Sequence, residues 1–310
     1  MIIDGQPYVR PCRSIPSDGN ESNEWMPCIP QLYEKLTLTL PLAGGSALLR
    51  PRGGHEPRIA AVLRAEAPWM AAAIDRIADD AAMQLWAGRP WLRFRPMLLV
   101  GAPGAGKTHL ARRLGELSGC GDAVLSFAGV NSNAELAGNP RGFRHQQPCF
   151  PAMVMQRTGT ANPVVIIDEV EKAAADTVGD PVATLLGMLE RSTAGRYFDG
   201  CLAAEIDISH VNWILTANRV DTLPAPLLSR VEVVEVAGPA PEHAELVLAN
   251  LWRAVARDAG LPPSALPRLE RQAEAALLRL FSNTRSVRRL RRAVETLVAV
   301  SARHAPRTVN

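Results

Sequence analysis

A chain of 310 residues, 47% hydrophobic and 21% charged, can bury one sizeable core with a smaller satellite, and the composition excludes a disordered or fibrous protein. Its net charge of +3 is too slight to argue for a nucleic-acid partner by itself. No apolar run approaches the ~18 residues needed to cross a bilayer, and MIIDGQPYVRPCRS lacks the layout of a signal peptide; a cytoplasmic protein without membrane contact is expected.

The five cysteines (12, 28, 120, 149 and 201) form no C-x-x-C pair and read as free thiols of a reducing compartment. Of 34 basic residues only Lys35, Lys107 and Lys172 are lysine. In a chain that writes almost every cation as arginine, a retained lysine marks a position that wants a compact ammonium.

In chain order, residues 1–66 are rich in Pro and Gly and read as a separate N-terminal segment, with only short candidate strands such as 36–40. From Pro68 to Ala87, Trp69, Ile74, Ile77 and Leu85 recur at helical spacing and predict an amphipathic helix leading into the next domain. Five short apolar runs follow, at 97–100, 123–127, 163–168, 211–217 and 231–236, separated by helical stretches. This alternation predicts an α/β domain over 67–238 with a parallel sheet covered on both faces. Past Gly238-Pro239-Ala240-Pro241 the strand signal stops, and three helices are expected at 242–259, 265–281 and 285–303 in a small domain spanning 239–310.

Gly101-Ala-Pro-Gly-Ala-Gly106-Lys107-Thr108 fits G-x-x-x-x-G-K-[ST] between a predicted strand and a predicted helix. Gly101, Pro103, Gly104, Ala105 and Gly106 let backbone amides curl around phosphate oxygens. Lys107 is placed to neutralise the outer phosphates of ATP, and the Thr108 hydroxyl to ligate Mg²⁺. VVIIDEVEK places Asp168 and Glu169 at the C-terminal end of an apolar strand, the edge where open α/β sheets bind ligands. Asp168 is the candidate for the Mg²⁺ shell, through water, and Glu169 for polarising an attacking water, which points to hydrolysis rather than binding alone.

Asn218 ends the next strand at the same edge, where an amide can hold the water or contact the γ-phosphate. Arg230, after LPAPLLS, is either a solvated arginine or the charged fork that stabilises a transferring phosphoryl group. In TRSVRRLRRAVETLVAV, Val287, Leu290, Val294 and Leu297 share an apolar face. The surrounding Arg285, Arg288, Arg289, Arg291 and Arg292 suit a solvated face, one arginine reaching the nucleotide, or nucleic-acid contact.

Together these motifs resemble the ATPase module of AAA+ proteins, and within them the Lon protease family. The likeness covers about residues 95–303 and rests on the phosphate loop, DEVEK at 168–172, the stretch 185–218 and PAPLLSRVEVV at 224–234. It implies a P-loop fold with a five-stranded sheet of order 5-1-4-3-2 and a C-terminal helical lid. It makes Asn218 the first sensor, Arg230 an arginine finger and Arg288 the second sensor. It also implies nucleotide bound between subunits of a ring, usually a hexamer.

In such rings an aromatic residue on a loop after strand two grips a threaded polypeptide. Phe143 in AGNPRGFRHQQPCFP is the matching candidate, its rival role being to anchor that loop together with Phe150. Lon proteases continue past the lid into a Ser–Lys peptidase, for which this chain, stopping at Asn310, holds no residues. The expectation is therefore a ring-forming ATPase that remodels or threads a protein client without cutting it. A nucleic-acid-associated ATPase and a slow nucleotide-gated scaffold are the alternatives.

Overall fold

The computed structural model describes residues 58–304 apart from 90, 129–131, 144, 174–178 and 261–268, together with a short antiparallel pairing of Ile2–Ile3 with Gln6–Pro7. The strand expected at 36–40, and Cys12, Cys28 and Lys35, lie outside the described residues.

Met97–Val100 (β1), Asp122–Ser126 (β2), Val164–Asp168 (β3), Asn212–Ala217 (β4) and Glu232–Glu235 (β5) build one parallel sheet in the order β2-β3-β4-β1-β5. Read from the other edge this is 5-1-4-3-2. The order follows from burial. Every residue of β4 is buried, as are the four aliphatic residues that open β3. Such strands need neighbours on both sides and helices on both faces. β4 lies between β3 and β1, with Ile167 opposite Leu215 and Val100 opposite Ala217.

One face is covered by Arg58–Glu66 (α1), Ala71–Trp86 (α2) and Lys107–Ser118 (α3). Ile59 and Leu63, Ile74 and Ile77, and Leu110 and Leu114 fall three or four residues apart, so each helix turns one stripe onto Leu99, Ile166 and Ile214. Each fully buried aliphatic side chain of this kind contributes ~1.5–3 kcal/mol. α1 falls within the stretch expected as a loose N-terminal segment, yet its Ile59, Ala60 and Leu63 are buried in this cluster. The helix expected from Pro68 opens as a single 3-10 turn, Pro68–Met70, before α2.

The other face carries Phe150–Thr158 (α4) and Pro181–Leu189 (α5), whose Ala152, Met155, Leu185 and Met188 pack on Val165, Ile167 and Leu215. α5 starts where the Asp180 carboxylate accepts from the Val182 N–H, with proline at the first helical position. Beside it stands a hairpin of Tyr197–Asp199 and Ala204–Ile206. Its three-residue strands are too short for an alternating pattern to reveal. The buried Asp199 carboxylate accepts from the backbone N–H groups of Cys149, Cys201 and Leu202, which ties the hairpin to the loop ahead of α4.

Ala244–Asp258 (α6), Arg271–Thr284 (α7) and Val287–His304 (α8) form the expected helical domain around Phe281, Leu290 and Val294. α7 begins and ends a few residues later than its sequence pattern predicts. This lid touches the α/β domain through Asn250, whose Nδ2 donates to the Glu66 carbonyl at 2.7 Å, and Arg257, 3.4 Å from Glu116. Trp69 packs on both hydrophobic clusters, linking core to lid.

Candidate active site

β1, β3 and β4 end side by side, and their carboxyl edge gathers the polar residues. The Gly101 N–H donates to the Ala217 carbonyl at 3.1 Å, which closes the phosphate loop against the end of β4. A side chain at Gly101 would meet the Val236 carbonyl at 2.2 Å. Gly106, at φ +97°, takes a left-handed conformation that delivers the chain into α3. The first amides of α3 have no intrahelical acceptor and face the cleft with the positive end of the helix dipole.

The Lys107 side chain is largely buried here, and its ammonium donates to the carbonyls of Gly101 at 2.6 Å and Ala102 at 3.2 Å and to Asn218 Oδ1 at 3.3 Å. Burial pulls its pKa below the ordinary lysine value, and the charges of Asp168, Glu171 and Glu169 oppose that shift. The Thr108 hydroxyl donates to Asp168 Oδ1 at 3.0 Å, and the Thr216 hydroxyl donates to the same oxygen. Thr216 also accepts from the Glu169 N–H at 3.2 Å. Glu169 adopts a left-handed conformation, φ +55°, and its carboxylate pairs with Lys172 at 2.7 Å.

These groups line a cleft of about 590 Å³ between the sheet edge and the lid. Pro103 to Thr108, Asp168, Glu169, Thr216 and Asn218 form its polar floor. Leu63, Trp69, Met70, Val247 and Leu251 form an apolar wall, and Arg288 and Arg291 reach it from α8. Such a wall beside a phosphate-binding loop suits a nucleotide, apolar at the base and anionic at the other end. The residues fit MgATP. The loop amides and Lys107 would hold the phosphates, and the adjacent oxygens of Thr108 and Asp168 would hold Mg²⁺.

Not every candidate is brought here. Arg230 stands outside the cleft of its own chain, with Nε 3.5 Å from Glu190 and Nη1 donating to the Pro226 carbonyl at 3.1 Å. Phe143 is 62% exposed on a loop closed by the pairing of Asn139 with Gln147. Arg141 fastens that loop to the hairpin through the carbonyls of Cys201 and Leu202, at 2.9 and 3.2 Å. Phe150 packs against the core while Phe143 faces solvent, so of the two phenylalanines only Phe150 anchors the loop.

Of the arginines at 285–292, Arg285 caps the end of α7, Arg291 pairs with Asp258 and Glu295, and Arg285, Arg288, Arg289 and Arg292 are exposed. Sequence reasoning missed Thr216, Glu171 and Trp69. Thr216 is the one hydroxyl in an otherwise apolar run, a usable signal. Glu171 is disguised as one more acid after Asp168 and Glu169, and Trp69 as part of an amphipathic stripe.

A parallel sheet of this order, with a glycine loop, an Asp-Glu strand end and an amide on the neighbouring strand, defines a P-loop NTPase. Residues 97–238, just under half of the chain, match the model of the AAA family, the ATPase family associated with various cellular activities. Lon proteases are similar over that region and beyond. The relative from Brevibacillus choshinensis is 35% identical over 201 residues, 63% of this chain and 25% of its own. Those of Mesomycoplasma hyopneumoniae and Halothermothrix orenii are 32% and 37% identical, over 65% and 53% of this chain and 23% and 21% of theirs. The chain thus spans about a quarter of the length of these relatives. Among solved structures, a closed-state cryo-EM reconstruction of Hsp104 with ATPγS and FITC-casein shares the fold. Its TM-score is 0.60 at 17% identity, covering 79% of this chain and 47% of that one.

Proposed function

We propose that this chain binds and hydrolyses ATP, assembles into a ring, a hexamer as the likeness to AAA+ proteins implies, and uses turnover to remodel or thread a protein client. In this reading residues 67–238 are the motor core, 239–310 the lid, and the setting cytoplasmic. The observation that carries it is a division of labour. Lys107, Thr108, Asp168, Glu169 and Asn218 converge on one cleft, while Arg230 lies outside its lining and beside Glu190. An arginine finger that cannot serve its own nucleotide is supplied to a neighbour's.

Within the cleft, the loop amides and Lys107 bind and orient the phosphates. Thr108 and Asp168 would hold Mg²⁺, which would supply positive charge beside the phosphoryl oxygens. Glu169 takes a proton from the attacking water, once its carboxylate has parted from Lys172. Arg288 approaches from the lid, so closure and phosphate contact are coupled. The exposed Phe143 supplies a site for gripping an unfolded client. The same reading leaves peptide cleavage out of these residues.

Trapping the Glu169→Gln protein with ATP in cell extract, then identifying and sizing what co-purifies, tests client and ring together. A monomer retaining no protein contradicts both. Exposed Arg285, Arg289 and Arg292 favour nucleic-acid association as a second reading. Steeply salt-dependent DNA binding, lost on replacing Arg289 and Arg292, supports it, and no binding at low salt ends it.

A further inference from the structure

We propose that a cavity at the end of the sheet opposite the nucleotide cleft, lined by Arg93 and Arg191, binds a carboxylate flanked by apolar side chains, the anchor of an acidic segment of a protein partner. It measures about 170 Å³ and lies at the amino ends of β1 and β4, with Trp213 and the stretch 93–96 in its wall. It shares no lining residue with the cleft, so this site stands or falls apart from the ATPase reading. Arg191 is exposed, Arg93 is half-buried, and among the described residues neither forms an ion pair. The Arg93 Nη2 donates to the Ser209 carbonyl at 3.0 Å. Burial, then the nearby charges of Arg191 and Arg89, pull the pKa of Arg93 down to about 10, with Asp207 opposing. It therefore keeps its charge at neutral pH, in the field of like charges.

Arg95 shows the contrast. It lines the same cavity, but Asp80 and Glu232 answer it at 3.2 and 3.1 Å. His210, between the lining residues Ser209 and Val211, is buried and leaves Nδ1 without a hydrogen-bond partner. Charges and polar atoms withdrawn from water are costly unless paired, and an anion in the cavity would pair with both guanidiniums. The rest of the lining says which anion. Phe94, Met188, Leu189, Ile208 and Trp213 give it an apolar wall, which suits a carboxylate carried among apolar side chains better than a bare inorganic ion. The volume is below the ~300 Å³ of pockets that enclose a whole small ligand, and fits one anchoring side chain of a longer segment. Asp80, Asp207 and Glu232 stand close to these arginines, so an extended polyanion such as nucleic acid is repelled where a single carboxylate is not.

The test is fluorescence anisotropy of a fluorescein-labelled hexapeptide with one aspartate between two leucines, titrated with the full chain in the absence of nucleotide. Binding should saturate. The same peptide with asparagine in place of the aspartate should bind about tenfold or more weakly, the scale of a lost charge-assisted hydrogen bond. Arg191→Gln should weaken the aspartate peptide by a similar factor and leave the asparagine peptide unchanged. Arg93→Lys keeps the charge but loses the planar fork, and should weaken the aspartate peptide as well. Arg289→Gln removes an exposed arginine of the lid and should bind both peptides as the wild type does.

Thermal midpoints serve as the folding control. Should Arg93→Lys unfold, Arg191→Gln decides, because its side chain is exposed and its loss leaves no cavity. No saturable binding, equal binding of the aspartate and asparagine peptides, or a loss that Arg289→Gln shares with Arg191→Gln overturns the proposal. Two competitors separate other occupants. Inorganic phosphate displacing the labelled peptide more readily than its unlabelled copy would make this a free-anion site. Single-stranded DNA doing so, with steep salt dependence, would make it a nucleic-acid site. Either result overturns the assignment to a protein segment.

Discussion

At the scale of single residues, the cleft is governed by where charge is buried and what answers it. Lys107 sits among carbonyls and carboxylates, so its replacement by alanine removes the ammonium that, in the proposed reading, meets the phosphates. Lys107→Ala is expected to abolish nucleotide binding, measured by titrating a fluorescent ATP analogue. Glu169→Gln keeps shape and hydrogen bonding but takes no proton. It is expected to bind ATP with near-normal affinity and to lose about 10²-fold or more in kcat, and full hydrolysis by that variant would refute its role.

These two residues were legible from the sequence because lysine is scarce and the spacing around it is strict. Thr216 and Glu171 were not, because their work depends on register. Only the pairing of Ile167 with Leu215 brings the β4 threonine beside Asp168 and lets Glu171 meet Asn218.

At the scale of elements, the strands followed from apolar, β-branched runs spaced by helices, their order from the family resemblance alone, and the lid from the loss of the strand signal after Gly238. What escaped notice were elements held by a few polar contacts instead of a long pattern. The hairpin of Tyr197–Asp199 with Ala204–Ile206 is one, and it depends on Asp199. Asp199→Ala strands three buried N–H donors, those of Cys149, Cys201 and Leu202. It is expected to cost roughly 2–4 kcal/mol in denaturant unfolding, and an unchanged midpoint would contradict this.

The same clamp places the Phe143 loop, which Arg141 ties to the hairpin. If Phe143 grips a client, Phe143→Ala should retain ATP hydrolysis and lose remodelling of a fluorescently labelled unfolded protein. Normal remodelling would remove Phe143 from that role. α1 shows why the N-terminal reading was incomplete: a nine-residue amphipathic helix, RIAAVLRAE, sits directly after a Pro/Gly-rich stretch that masks its stripe.

At the scale of the molecule, core and lid enclose one cleft, and Trp69, Asn250 and Arg257 join the two. Acid should loosen this body in a defined window. His210 is buried in the turn ahead of β4, and burial, with the nearby charge of Arg93, lowers its pKa to about 4. The unfolded chain takes up that proton near pH 6.5 while the folded chain does not, so stability is full above about 6.5 and declines as pH falls toward 4. A Tm series over that range should show the decline, and His210→Gln should flatten it.

The central claim is that one catalytic centre is completed by two copies of the chain. Its most direct measurement is the ATPase rate of Arg230→Ala and Glu169→Gln proteins, assayed separately and then mixed in equal amounts. Each alone should bind ATP and be nearly inactive, because every interface lacks either the finger or the base. In mixed rings about a quarter of interfaces join an intact cleft to an intact Arg230, and activity should return to roughly that fraction of wild type. Full hydrolysis by Arg230→Ala alone, or no recovery on mixing, would contradict a shared site.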